Sequence, residues 1–198
     1  MKKNSSDENW IKLLTWTAMD GTMVDSSKYA KNPANSSQKR IQFKLSKTRK
    51  LMSLMGLLNE MKITYTVKAA TKSGENKLQP YVIRIYGDHA KDIFSRLHGS
   101  KSIPSEWADL TYENAQVFLQ TLEETDGYRD HDRISWAATD AGSMNTVKAL
   151  LQKHDISWSD GYTSSGFDRN KKIPKMSIKY KTEWYGRKTL CDKTNNRF

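Results

Sequence analysis

The feature that most constrains this chain is a nine-residue segment that occurs twice. Leu13-Leu14-Thr15-Trp16-Thr17-Ala18-Met19-Asp20-Gly21 and Leu119-Gln120-Thr121-Leu122-Glu123-Glu124-Thr125-Asp126-Gly127 each read as a helix closing on Asp-Gly. Glycine can take the left-handed conformation that stops a helix. An aspartate in the last turn opposes the partial negative charge of the helix C-terminus. Two such aspartates in matching places, 106 positions apart, imply a cation nearby.

The order of elements also repeats. Apolar spacing gives a helix from Asn9 to Gly21, then strands at 22–25 and 40–45 around a Ser/Asn/Lys-rich loop at 26–38. A helix over 47–61 follows, with Ser46 as its cap and Leu51, Leu54, Met55, Leu58 and Met61 on one face. Strands at 63–68 and 81–86 flank a turn at 72–77, and a short helix spans 88–97. After a linker at 99–104 the plan restarts. It runs through a helix at 112–125, a strand at 133–139, a helix at 143–154, a strand at 156–163, a basic turn at 166–172 and a strand at 176–180. The stretch 128–132 leaves room only for a very short first hairpin in this half. The fold class is therefore α+β, two αββαββ(α) repeats related by a pseudo-two-fold axis, with residues 1–104 and 105–198 as the halves.

Charge narrows the partner. The chain carries 33 Lys+Arg against 22 Asp+Glu, a formal +11. Residues 1–100 hold 18 basic and 8 acidic residues, and the rest 15 and 14, so the excess sits in the first half. A basic half favours a polyanion, nucleic acid first. Alternation in 40–45 turns Arg40, Gln42 and Lys44 outward, where they suit phosphates and base edges. Lys68, Arg84, Lys175 and Lys179 hold similar places on later strands. One cysteine, Cys191, excludes an internal disulfide and a Cys-based zinc site, and suits a reducing compartment. No apolar run approaches a membrane span, and no signal core follows the start, so an intracellular location is expected, cytoplasmic or organellar. His89, His98, His131 and His154 have no metal-ligand spacing, and the six tryptophans read as core or interface anchors.

With these residues in view, the chain resembles the LAGLIDADG homing endonucleases. Both nonapeptides keep the first Leu, the fourth apolar residue and the final Asp-Gly. Lys101-Ser102-Ile103-Pro104 with Leu110, Ala115 and Phe118-Leu119 is similar to the junction of intein-type members. The resemblance covers about residues 9–182. It implies a monomer in which the two motif helices pack together at the centre, Thr15 and Thr121 permitting close approach. It also implies that two antiparallel sheets form a saddle on double-stranded DNA, with both strands cut across the minor groove. Asp20 and Asp126 would hold Mg²⁺, with backbone carbonyls at the helix ends, Gly21 and Gly127, as added ligands. Lys47 and Lys101 match basic or polar positions near the scissile phosphates. The sequence departs from the family at Met19 and Thr125, where Ala or Gly is usual, and at Asp140, which stands where Lys47 stands in the first half. Self-splicing is not expected, since no obvious N-terminal Cys or Ser nucleophile and no terminal His-Asn stand in this sequence. The alternative is a non-catalytic DNA- or RNA-binding protein on the same scaffold, a maturase or regulator. The nuclease reading requires the two carboxylates to be adjacent and neither to be committed to an internal basic partner.

Overall fold

A computed structural model describes residues 5–26, 39–71, 78–130, 133–138, 140–164 and 172–179. The expected loop at 27–38, the turns at 72–77 and 166–171, His131, Thr139, Trp184, Cys191 and the tail lie outside the described residues.

The first half runs α1 (Ser5–Asp20), β1 (Gly21–Asp25), β2 (Lys39–Leu45), α2 (Thr48–Glu60), β3 (Tyr65–Ala69), β4 (Tyr81–Ile85) and α3 (Gly87–Arg96). The second runs α4 (Tyr112–Thr125), β5 (Tyr128–Asp130), β6 (Arg133–Ala137), α5 (Ala141–Lys153), β7 (Trp158–Ser164) and β8 (Lys172–Lys179). Each half forms a four-stranded antiparallel sheet, ordered β1-β2-β4-β3 and β5-β6-β8-β7. The expected α+β class and the repeated order are therefore observed. The first hairpin of the second half is short, as expected, with three residues in β5.

The sheets are amphipathic by alternation. In the first, Ile41, Phe43, Leu45, Ile83 and Ile85 are buried under the helices. In the second, Ile134, Trp136, Met176 and Ile178 take that role. These side chains join Leu13, Trp16, Leu54, Leu58, Phe118, Leu119, Leu122, Val147 and Leu150 in one continuous core.

Among the described residues the two motif helices make the most extensive helix–helix contact. Four threonines of these two helices, Thr15, Thr17, Thr121 and Thr125, are buried. A buried hydroxyl needs a partner. Each of these finds one on its own helix: Thr15 Oγ1 donates to Ile11 O at 2.7 Å, Thr17 to Leu13 O at 2.8 Å, Thr121 to Val117 O at 2.8 Å and Thr125 to Thr121 O at 2.9 Å. The threonines thus pack as small side chains with no unmet donor. Met19, which stands where the family usually has Ala or Gly, lies half-buried against the edge of the core.

Three local expectations change. Gly21 and Gly127 are not left-handed; the positive-φ glycines among the described residues are Gly87 and Gly99. They are glycine for lack of space. A Cβ on Gly21 would stand 2.5 Å from Thr17 O, and one on Gly127 2.6 Å from Glu123 Cα. Each strand folds back directly over the last turn of its helix. Second, α2 is capped at Lys47, not Ser46, and Lys47 makes no side-chain cap bond. Third, a 3₁₀ helix, Ser105–Asp109, follows the linker where none was expected. It buries Trp107, whose ring meets Phe118 edge-on at 5.4 Å. Segment ends also move: α1 starts at Ser5 and β8 at Lys172.

Candidate metal centre and nucleic-acid interface

Because α1 and α4 pack together and both end on aspartate, Asp20 and Asp126 meet at the junction of the two halves. Their side chains lie within hydrogen-bonding reach. Burial pushes the Asp126 carboxyl up from its ordinary value, the charge of Asp20 pushes it further, and Lys50 and Lys101 oppose both. Crowded carboxylates behave this way when no cation separates them.

Two lysines flank the pair. Lys101 reaches in from the linker, its Nζ 3.4 Å from the carbonyl oxygen of Met19 at the end of α1. Lys50, in the first turn of α2, donates to Asp20 Oδ2 at 2.7 Å, and both side chains are largely covered, 14% and 18% exposed. Lys50 was not singled out from the sequence. It lies three positions after Lys47, in the first turn of α2, and its pairing depends on how α2 sits against α1. Lys47 itself is an exposed cap residue. Of the two conditions that the nuclease reading sets, adjacency of Asp20 and Asp126 is met, and freedom from an internal basic partner is not, because Asp20 is paired to Lys50.

The other acids of the second motif point elsewhere. Glu123 forms a two-bond pair with Arg129, at 2.5 and 2.9 Å, tying α4 to β5. Glu124 faces a groove between α2 and α4, where burial pushes its carboxyl up against the opposing charges of Lys12 and Arg49. Neither joins the Asp20–Asp126 pair. Among the described residues no group of three His, Cys, Asp or Glu could hold a metal ion. The donors on offer are two carboxylates and helix-end carbonyls, a hard oxygen set that suits Mg²⁺ completed by substrate phosphate. Gly21 lies opposite Phe43 in the β1–β2 ladder, and Gly127 donates its N–H to Leu122 O at 2.8 Å.

The halves differ at the start of their second helix. Asp140 caps α5 as Lys47 caps α2, accepting from Gly142 N and Ser143 N at 3.0 Å each and from Ser143 Oγ at 2.6 Å. Hydrogen bonds from Ser143 and Ser102 hold its carboxyl down to about 2. Ser143, the counterpart of Lys50, accepts from the backbone N–H of Ile103 at 2.8 Å. A clip to the linker thus replaces the first half's lysines. Beside it a cavity of about 360 Å³ opens toward Asp126, lined by Met19, Lys101, Ser102, Trp136, Asp140 and Ser143 among others.

The strand residues expected to face nucleic acid share the outer faces of the sheets. Thr22, Gln42, Arg84 and Thr66 align across the first sheet, with Arg40 opposite Val24 on one side and Lys44, Val82 and Lys68 aligned on the other. Arg84 Nε donates to Gln42 Oε1 at 3.0 Å. Arg40 Nε is buried without a partner among the described residues. On the second sheet, Lys175 and Lys179 flank Ser177 on the outer face. His154 bonds Leu110 O at 2.9 Å, a structural role consistent with its place at a helix end. No helix among the described residues is long and apolar enough to cross a membrane.

No protein-family model and no curated protein matches the chain. Solved structures do. Mesophilic variants of the homing endonuclease I-DmoI align at 12% identity and TM-score 0.60, covering 87% of this chain and 88% of that one. An I-DmoI variant in complex with its target DNA in the presence of Mg aligns at 11% identity and TM-score 0.61, covering 87% and 89%. The N-terminal LAGLIDADG domain of DUF199/WhiA aligns at 15% identity and TM-score 0.56, covering 93% and 80%. The chain has the two-repeat fold that these LAGLIDADG structures share.

Proposed function

We propose that this chain is a site-specific endonuclease of double-stranded DNA, dependent on a divalent metal such as Mg²⁺ and acting as a monomer inside the cell, in cytoplasm or organelle. The observation that carries the reading is the Asp20–Asp126 pair, held at the junction of the two halves with the Asp126 carboxyl pushed up by burial and by its neighbour. Such a site disfavours its own charges unless a cation is supplied. Asp20 and Asp126, with the carbonyls of Gly21 and Gly127, would hold Mg²⁺. When bound, the metal would polarise a phosphoryl oxygen and lower the pKa of a water. Lys101, anchored near Met19 O, is placed to face negative charge developing on a phosphate. Lys50 would stabilise the same charge once released from Asp20. Arg40, Gln42, Lys44, Lys68 and Arg84 would contact one half of the duplex, at phosphates or base edges, and Lys175 and Lys179 the other. Support for DNA as partner comes from I-DmoI complexes solved with target DNA and Mg, Mn or Ca.

One observation favours a second reading, a DNA-binding protein without catalysis. The Lys50–Asp20 pair already neutralises one of the two carboxylates. Selection of cleaved duplexes from a randomised library in Mg²⁺ separates the readings. The nuclease reading expects an enriched target whose cleavage falls at least about 1,000-fold in Asp20→Asn and in Asp126→Asn, with binding retained. Binding without cleavage under any divalent metal would leave the second reading standing.

A further inference from the structure

The registers of the two sheets allow their outer faces to be compared position by position. In the first, Thr22 pairs with Gln42, Gln42 with Arg84, and Arg84 with Thr66. In the second, Tyr128 pairs with Ser135, Ser135 with Ser177, and Ser177 with Ser159. Both rows begin one residue after the motif glycine, so they are equivalent under the pseudo-two-fold axis. Where one sheet carries Gln and Arg at its centre, the other carries two serines.

That exchange alters what a row can read. Arg84 donates its Nε to Gln42 Oε1 at 3.0 Å, a bond that restrains the guanidinium through one edge and uses neither of its terminal Nη groups. Two parallel donors on a rigid plane match the O6 and N7 acceptors of guanine in the major groove. Ser135 and Ser177 lie 3.2 Å apart and satisfy one another, and Ser159 Oγ accepts from Arg133 Nη1 at 3.3 Å. A hydroxyl is short and both donates and accepts, so it contacts any base without selecting one. The charge balance runs the same way, with the basic excess confined to the first half.

We propose that sequence discrimination is concentrated in the half-site under the first sheet, where Arg84, oriented by Gln42, reads a guanine, while the serine row of the second sheet grips its half-site with little selectivity. The inference rests on the DNA-binding reading above, but not on cleavage. It extends that reading by assigning unequal roles to the halves and a base to one residue.

The test uses the full chain in Ca²⁺ with a duplex library randomised across the whole site. Bulk binding is measured first, as salt-dependent retention of mixed duplexes. The enriched set is expected to show strong base preference in one half-site and weak preference in the other. It should contain a guanine whose advantage over other bases, taken as the ratio of guanine-bearing to substituted duplex bound by the same variant, drops by about 10- to 100-fold in Arg84→Lys, since lysine keeps the charge and loses the fork. Circular dichroism checks that the variant folds, and Arg84→Gln serves if it does not. Equal preference in both half-sites would overturn the inference. So would an Arg84 variant that weakens all sequences evenly, the mark of a phosphate contact. Absence of any duplex retention would overturn both this inference and the reading beneath it. Even preference with firm retention would overturn this one alone.

Discussion

At the scale of single residues, the Asp126 carboxyl and the Asp140 carboxyl lie on opposite sides of their ordinary value, for opposite reasons. Asp126 is raised by burial and by Asp20. Its folded pKa exceeds its unfolded one, so its contribution to stability is complete below the unfolded value and is lost as pH rises through the folded value. Asp126→Asn is therefore expected to unfold at a higher temperature than the parent at pH 7 and to lose that advantage near pH 3, read as melting temperature against pH. Asp140 is lowered to about 2 by Ser143 and Ser102. Its contribution is present above the unfolded carboxylate value and disappears as pH falls through about 2. Asp140→Ala removes a helix cap and is expected to cost about 1 kcal/mol at pH 7 in urea unfolding, with the cost shrinking toward pH 2. The carboxylate positions were legible in the sequence, because Asp-Gly ends each motif. Lys50 was not, because its partnership with Asp20 depends on how α2 is set against α1, and spacing within one helix does not encode that.

At the scale of elements, the tightest fit is the turn from each motif helix into its strand. The added Cβ of Gly21→Ala would meet backbone, Thr17 O at 2.5 Å, which cannot rotate away. That variant is expected to lose about 1–3 kcal/mol of unfolding free energy. Gly56, exposed in the middle of α2 with nothing within 4 Å of its would-be Cβ, supplies the contrast. Gly56→Ala is expected to add about 0.5–1 kcal/mol. The order of helices and strands was readable because each carries a clear period, 3.6 for Leu51–Leu54–Leu58 and 2 for Ile41–Phe43–Leu45. The glycine mechanism was misread, because a sequence does not distinguish a glycine needed for positive φ from one needed for close approach. The 3₁₀ helix escaped notice because five residues are too few to show a period, and its Trp107 is held by Phe118 from another element.

At the scale of the molecule, an internal repeat produces an unequal pair of halves around one shared centre. The repeat was legible from the 106-residue offset, and the outer faces from strand alternation. The exchange of Lys47 for Asp140 was legible too, but the clip through Ser143 to Ile103 depends on where the linker runs, which spacing does not encode. A basic first half should make duplex binding strongly salt-dependent, with log K against log [salt] falling by about 0.9 for each phosphate neutralised. Lys44→Ala with Lys68→Ala is expected to flatten that slope by about 2, measured by fluorescence anisotropy over a salt series. The central claim is that Asp20 and Asp126 together receive a divalent cation despite Lys50. It is tested most directly by following the ¹³C carboxyl resonances of both residues while Mg²⁺ is titrated into the duplex-bound chain. The account expects the two resonances to shift with a common midpoint, and Asn at either position to remove the response of the other. Resonances that stay fixed at every Mg²⁺ concentration, with Asp20 still paired to Lys50, would contradict it.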